Sequence, residues 1–197
     1  MAQTALTQLK LERVIWIPSG CPPHKSSMSV VSLGHREEMV RRAIAGNPAF
    51  VLKSIERASN ASYAIDTLSD LQALYPETDW YWIIGLDAFQ TLPRWYRRQE
   101  LIPAIDWLVA PRGDLVALEY PTEQKSPHFL CQQVESQLES QFIPIRWQIL
   151  SMPVVGISSS LIRSRCCQNL SIRYLVPEAV RSYIIEQQLY RCDRSSV

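Results

Sequence analysis

The sequence predicts an α/β protein built on a doubly wound parallel sheet. Short apolar runs rich in β-branched and aromatic residues, the pattern of strands, recur along the chain. Segments with helical periodicity separate them, and this alternation is typical of parallel βαβ units. One run, WYWIIG at 80–85, is apolar almost throughout, as in a strand buried on both faces. We therefore expect helices on both faces of the sheet.

Each predicted element has a local signal that starts or stops it. Alanine and leucine recur at helical spacing in the first helix, and Pro18 stops the β-branched strand that follows. Gly46 ends the second helix, Pro76 ends the third, and Pro93 interrupts the fourth helical segment. The predicted helices are 2–9, 32–45, 63–74, 87–104, 128–141 and two that begin at Ser158 and Pro177. The predicted strands are 14–17, 50–55, 80–85, 106–112 and 145–150.

The composition is that of a single globular domain, which we assign to residues 1–197. This length buries one sizeable core, and 47% of the residues are hydrophobic. The net charge of +1 argues against a broad nucleic-acid surface. No apolar run approaches the roughly 20 residues of a membrane span, and no signal-peptide pattern occurs. We predict a cytoplasmic protein without nucleic-acid or membrane partners, and leave open whether it forms a homo-oligomer.

The five cysteines indicate neither a disulfide framework nor a zinc site. Their number is odd, no C-x-x-C pair occurs, and the three histidines are widely scattered. We therefore predict reduced thiols and no metal held by protein side chains.

Candidate ligand-binding residues follow the strands, because ligands of parallel sheets bind beyond the carboxyl ends of the strands. The strongest signal is GISSSLIRSR at 156–165, where serines begin a helix whose unpaired N–H groups favour an anion. Arg163 follows Ser159 by four residues and Ser160 by three, so its guanidinium reaches back to the helix start. Ser158, Ser159 and Arg163 therefore form a candidate phosphate site. The alternative is an ordinary serine cap followed by a solvated arginine.

Three further loops at this edge carry polar or aromatic side chains. PPHK offers an imidazole and an ammonium to phosphate, unless His24 and Lys25 are simply solvated. GLDAF offers Asp87 either to ribose hydroxyls or as a helix N-cap. Trp95, flanked by arginines, suits either the core or stacking on a flat ring. The chain lacks the glycine motifs of P-loop and dinucleotide-binding proteins.

Six segments, taken in order, resemble those of the bacterial nicotinate-nucleotide adenylyltransferases. They are PSGCPPHK, ASYAIDTL, WIIGLDAFQTLPRWYRRQEL, LVAPR, GISSSLIRSR and YLVPEAVRSYIIEQQLY, and they span nearly the whole chain. The resemblance implies a Rossmann-like nucleotidyltransferase fold. It also implies transfer of adenylate from ATP to nicotinate mononucleotide, with release of nicotinic acid adenine dinucleotide and pyrophosphate and with Mg²⁺ bound to the ATP phosphates.

The resemblance implies a role for each candidate residue as well. The residues at the reacting phosphates would be His24 and Arg163. The residues that bind ATP would be Asp87, Ser158, Ser159 and Arg163. The residues that bind nicotinate mononucleotide would be His24, Lys25, Tyr63, Thr67 and Trp95. The alternatives are a related nucleotidyltransferase with another acceptor, such as phosphopantetheine, and an N-terminally truncated product without catalytic activity.

The chain departs from the family pattern at two places. Ala64 stands where the family usually has threonine, which removes a hydroxyl but leaves the backbone N–H groups that can bind a carboxylate. The family also begins with a strand and a G-x-F-D-P-x-H-x-G-H-L segment that binds ATP, and this chain has neither. Loss of that central first strand would leave neighbouring strands with unpaired edges. We therefore expect about 20 to 25 further residues before Met1 in the functional protein, and a rate below normal without them.

Overall fold

The structure is a computed structural model in which the chain forms two units. One unit contains residues 1–12 and 63–156, and the other contains residues 13–62 and 157–197. The residues that the structure describes are 1–19, 31–54, 63–111, 126–153 and 155–192.

Helices and strands alternate along the described chain, as the sequence predicts. The helices are α1 (Ala2–Gln8), α2 (Leu33–Ile44), α3 (Ala64–Leu74), α4 (Leu86–Phe89), α5 (Arg98–Leu101), α6 (Pro127–Glu139), α7 (Ser159–Cys167) and α8 (Glu178–Glu186). The strands are β1 (Val14–Trp16), β2 (Phe50–Leu52), β3 (Tyr81–Gly85), β4 (Asp106–Ala110) and β5 (Arg146–Ile149).

The first unit is built on a parallel sheet of three strands in the order β3-β4-β5. Successive side chains of a strand point to opposite faces, and β4 shows this clearly. Trp107 and Val109 lie in a core cluster with residues of α3, α4 and α6, whereas Leu108 and Ala110 pack with Ala5 of α1. Both faces of this sheet are therefore covered by helices, which explains why the central strand β4 is apolar on both faces.

Helix α1 is fixed to this sheet by a side-chain amide as well as by apolar packing. Ala5 is fully buried, and the Gln8 amide nitrogen donates to the Ile149 carbonyl oxygen at 3.3 Å. The Gln8 amide oxygen accepts from the Ser151 N–H at 2.9 Å. Because the amide pairs with both backbone groups, α1 is anchored at the carboxyl end of β5.

The second unit contains a parallel pair of strands, β1 and β2, together with α2, α7 and α8. Ser32 caps α2 by accepting from the His35 N–H, as its position before an amphipathic run favours. The His35 ring lies 2.8 Å from the Tyr183 hydroxyl of α8, and Arg42 lies over the Tyr183 ring. A cluster of buried residues from α7, α8 and the turns around them forms the core of this unit.

The sequence predicts one sheet, whereas the described strands are hydrogen-bonded into two. Their parallel orientation is confirmed, but they form two sheets, β1-β2 and β3-β4-β5. Within the described residues, β1 and β3 each pair along one edge only. The assignment of 1–197 to one domain stays a prediction.

The prediction of reduced thiols is wrong for two of the cysteines. Cys167, the last residue of α7, forms a disulfide with Cys192, with 4.8 Å between their Cα atoms. Cys131 and Cys166 are free, and burial raises the pKa of the Cys131 thiol to about 12. Sequence spacing did not reveal the pair because the fold, and not a motif, brings the two residues together.

Loss of this disulfide should lower thermal stability. The disulfide joins residues with a sequence separation of 25. The chain entropy that such a crosslink removes from the unfolded state adds about 3 kcal/mol to the free energy of unfolding. For a chain of this size that is a fall in Tm of about 6 to 12 °C. In a thermal melt, Cys192→Ser and treatment with a dithiol reductant should each lower the Tm by this amount. The control Cys166→Ser keeps the disulfide, so its Tm should still fall when the reductant is added. An unchanged melt after reduction, with no new free thiols, would contradict the pairing.

Candidate active site

Trp95 lies in the first unit at the end of a short 3-10 turn that follows α4. The turn comprises Leu92–Arg94, and the buried Pro93 within it breaks the helical pattern as the sequence predicts. The Trp95 indole N–H donates to the Thr91 hydroxyl at 2.9 Å. Its ring meets the buried Trp107 edge-on, with centroids 6.0 Å apart. The half-buried indole thus packs against the core through a T-shaped ring contact.

Tyr63 lies beside this segment at the start of α3. Its ring packs against the ring of Tyr96, with centroids 4.5 Å apart. Arg97 follows with a left-handed backbone, φ 49°, and lies 3.9 Å from a carboxylate oxygen of Asp66. Glu100 binds the same guanidinium and raises the pKa of Arg97. These contacts join the Trp95 to Arg97 segment to the first turn of α3.

The N-terminus of α3 offers backbone donors to a ligand. Tyr63 is its N-cap and makes no capping hydrogen bond through its side chain. The first N–H groups of a helix have no partner within the helix, and the helix dipole favours a negative charge there. Thr67 is buried, 8% exposed, and its hydroxyl donates to the Tyr63 carbonyl oxygen at 3.3 Å. Its hydroxyl proton is therefore engaged within α3.

Asp87 lies just beyond the carboxyl end of β3, in the first turn of α4. Gly85 occupies the N-cap position, so the alternative that Asp87 is the cap is wrong. The carboxylate is exposed, and β3 ends in register with β4, where Gly85 pairs with Ala110. This is the position at which ligands of parallel sheets bind.

The serine cluster lies in the second unit at the start of α7. Ser158 is the N-cap, and its hydroxyl oxygen accepts from the Leu161 N–H at 3.1 Å. Arg163 donates to the Ser160 hydroxyl at 3.3 Å, which confirms that its guanidinium returns to the helix start. Ser159 is exposed at the first helical position. Backbone donors, hydroxyls and a guanidinium therefore meet at one helix N-terminus, a combination suited to phosphate.

The positive charge of Arg163 also reaches Tyr190, in the turn after α8. Burial raises the pKa of Tyr190, and the charges of Arg163 and Arg36 oppose that rise. Arg36 itself donates to the carbonyl oxygens of Ser19 and Val31, which flank the residues at 20–30. His24 and Lys25 lie outside the described residues, so their roles stay predictions.

Sequence reasoning missed several residues that shape this site. The Thr91 hydroxyl accepts from the indole of Trp95, and the Tyr96 ring packs against Tyr63. Arg97 pairs with Asp66 in the first turn of α3. Thr91 stands four residues before Trp95, a spacing at which helical side chains meet, and this signal could have found it. The contacts of Tyr96 and Arg97 join distant parts of the chain, and spacing does not reveal them.

The described residues provide no ready-made metal cage. Among them, no group of three or more His, Cys, Asp or Glu side chains could hold a metal ion. Magnesium characteristically binds through one or two carboxylates together with substrate phosphates, and so needs no such cage. No helix in the described parts of the chain is long and apolar enough to cross a membrane.

Comparison with known proteins identifies the family. The Cytidylyltransferase-like family matches residues 1–165. A probable nicotinate-nucleotide adenylyltransferase of Trichormus variabilis is 50% identical over 194 residues, which cover 98% of this chain and 89% of that protein. A protein of the same name from Synechococcus sp. (strain JA-3-3Ab) is 40% identical over 194 residues, which cover 96% of this chain and 86% of that protein.

A solved structure agrees with this result at the level of the fold. Plasmodium falciparum nicotinic acid mononucleotide adenylyltransferase, complexed with NaAD, aligns with a TM-score of 0.69 and 18% identity. The alignment covers 95% of this chain and 89% of that one. With close sequence relatives along nearly its whole length and a matching α/β nucleotidyltransferase fold, the chain belongs to the nicotinate-nucleotide adenylyltransferase family.

Proposed function

We propose that this chain transfers adenylate from ATP to nicotinate mononucleotide, forming nicotinic acid adenine dinucleotide and pyrophosphate. Its family makes it a nucleotidyltransferase of NAD biosynthesis. The observation that carries the choice of acceptor is the start of α3, whose N-cap Tyr63 makes no capping hydrogen bond through its side chain and packs against the Tyr96 ring. That pairing of an anion site with aromatic rings matches the carboxylate and flat ring of a nicotinate.

The acceptor carboxylate would bind the first N–H groups of α3, at Ala64 and Ile65. A carboxylate gains both hydrogen bonds and the favourable field of the helix dipole there. The neutral amide of a nicotinamide acceptor gains neither to the same extent, so the site favours the acid. Trp95 would stack on the pyridine ring, and Thr67 would support Tyr63 from within the helix.

ATP would bind at the two remaining groups of residues. Ser158, Ser159 and Arg163 would hold its phosphates at the N-terminus of α7, and Asp87 would accept hydrogen bonds from ribose hydroxyls. His24 and Lys25 would approach the phosphates of both substrates, as the resemblance implies. These assignments belong to the proposal.

The chemistry would need alignment and charge stabilisation instead of a protein nucleophile. A phosphate oxygen of nicotinate mononucleotide attacks the α-phosphorus of ATP in line, a new P–O bond forms, and the bond to the β-phosphate breaks. Arg163 and the α7 N–H groups would stabilise the charge that develops on the phosphates. Magnesium, carried in on the ATP phosphates, would neutralise charge on the leaving pyrophosphate.

The experiment compares three acceptors by pyrophosphate release from ATP and Mg²⁺. Nicotinate mononucleotide should react faster than nicotinamide mononucleotide, and phosphopantetheine should not react. The assay uses the full chain of residues 1–197, with a thermal melt to show that it is folded. Activity with nicotinate mononucleotide supports the proposal. Preference for another acceptor, or inactivity of the folded chain, contradicts it.

A further inference from the structure

We propose that Thr91 is a positioning residue that fixes the Trp95 indole for the acceptor ring. This inference rests on the proposed function, because it assumes that Trp95 contacts nicotinate mononucleotide. It concerns a side chain that touches neither substrate in that proposal.

The Thr91 hydroxyl both donates and accepts in a two-step chain of hydrogen bonds. It donates to the Ala88 carbonyl oxygen at 2.6 Å and accepts from the Trp95 indole N–H at 2.9 Å. A hydroxyl has one proton, so donating that proton to Ala88 directs an oxygen lone pair toward the indole. The backbone of α4 thus sets the direction of the bond that holds Trp95.

This bond supplies a restraint that the core contacts do not. Trp107 meets the indole in a T-shaped apolar contact at an interplanar angle of 82°, and such a contact has no directional bond to the indole N–H. The hydrogen bond to Thr91 is directional, so it restrains the χ1 and χ2 rotations of Trp95 to the orientation that points its N–H at that hydroxyl. Trp107 is in turn held by its own indole N–H, which donates to the Ile102 carbonyl oxygen at 3.2 Å.

The same hydrogen bonds also connect the two residues of the first unit that are proposed to bind the two substrates, Asp87 and Trp95. Ala88 lies next to Asp87 in α4, and Thr91 connects that helix to Trp95. The carboxylate assigned to a ribose and the ring assigned to the acceptor are therefore connected through the short segment 87–95. A ring held in advance loses less freedom when it binds its ligand.

The test measures the Kd for nicotinate mononucleotide by calorimetric titration of the full chain, without ATP. Thr91→Val keeps the shape of the side chain but removes the hydroxyl, and should raise the Kd about threefold to tenfold, the value of one hydrogen bond. Thr91→Ser keeps the hydroxyl and should restore the affinity to within about twofold. The matched control is Thr7→Val, which removes another exposed hydroxyl that donates to a backbone oxygen, that of Gln3 at 3.0 Å, and should leave the Kd unchanged.

A double-substitution cycle shows whether Thr91 acts through the indole N–H. Trp95→Phe keeps an aromatic face but has no N–H to donate, so adding Thr91→Val to it should change the Kd no further. An unchanged Kd for Thr91→Val alone, an equal loss for Thr91→Ser, or additive losses in the cycle would overturn the inference. If Trp95→Ala raises the Kd while Thr91→Val does not, the inference fails alone. If Trp95→Ala has no effect, the stacking role in the proposed function fails, and the inference fails with it.

Discussion

Replacing Arg163 with alanine should lower kcat/KM for ATP by about 10² to 10³, the loss seen when one donor to a developing anion is removed. Arg163 donates to Ser160 at the start of α7, where Ser158 already caps the helix. Its guanidinium is thus held at the helix end that is proposed to bind the ATP phosphates. Because the charge on those phosphates shifts during transfer, the loss should appear in the rate as well as in ATP binding.

The matched control for this prediction is Arg165→Ala. Arg165 lies on the same helix and carries the same charge, but it donates to the Ser171 carbonyl oxygen at 2.8 Å. Its removal should change kcat/KM for ATP by less than about threefold if the effect is local, since more distant exposed charges are largely screened. Equal losses for the two variants would show that net charge, and not a phosphate contact, is responsible. The rates of adenylate transfer are measured for each variant with the full chain of residues 1–197.

Replacing Trp95 with alanine should raise the Kd for nicotinate mononucleotide about 5-fold to 140-fold. Stacking of a flat ring on an aromatic side chain is worth about 1 to 3 kcal/mol, and each 1.4 kcal/mol is about tenfold in affinity. ATP affinity should change less than about twofold, because Asp87 and the start of α7 carry that binding in the proposal. Trp95→Phe should give a smaller loss, since it keeps an aromatic face.

The control is Phe142→Ala, which removes an aromatic ring of the same unit that is 96% exposed and outside the site. A thermal melt of each variant accompanies the titrations, because Trp95 packs against the buried cluster that contains Trp107. Equal losses of ATP and acceptor affinity in a folded Trp95→Ala would count against stacking.

Periodicity and terminators predicted most of the elements correctly. The continuous apolar runs at β3 and β4, and the serines before α2 and α7, are local features, and local features suffice to begin a helix or define a strand. The helical pattern at 87–104 is instead divided into α4, α5 and two 3-10 turns. Pro93 explains the first interruption, and Pro103 lies in the second turn.

The candidate site was partly predictable for the same reason. The return of Arg163 to the start of α7 follows from helical spacing, and the structure contains it. The contact of Tyr63 with Tyr96 and that of Asp66 with Arg97 join segments about 30 residues apart. The Cys167 to Cys192 disulfide likewise depends on how α7 and the segment after α8 pack. Such contacts arise from tertiary packing, which no single spacing encodes.

The fate of the α-phosphate of ATP distinguishes adenylate transfer from ATP hydrolysis. Protein is mixed in excess with ATP labelled at that phosphate, together with nicotinate mononucleotide and Mg²⁺, and the labelled products are separated over a single turnover. We expect the label to pass into nicotinic acid adenine dinucleotide, with one pyrophosphate released per label transferred. Label recovered in free AMP or ADP, or left in ATP by the folded chain, would contradict adenylate transfer to this acceptor.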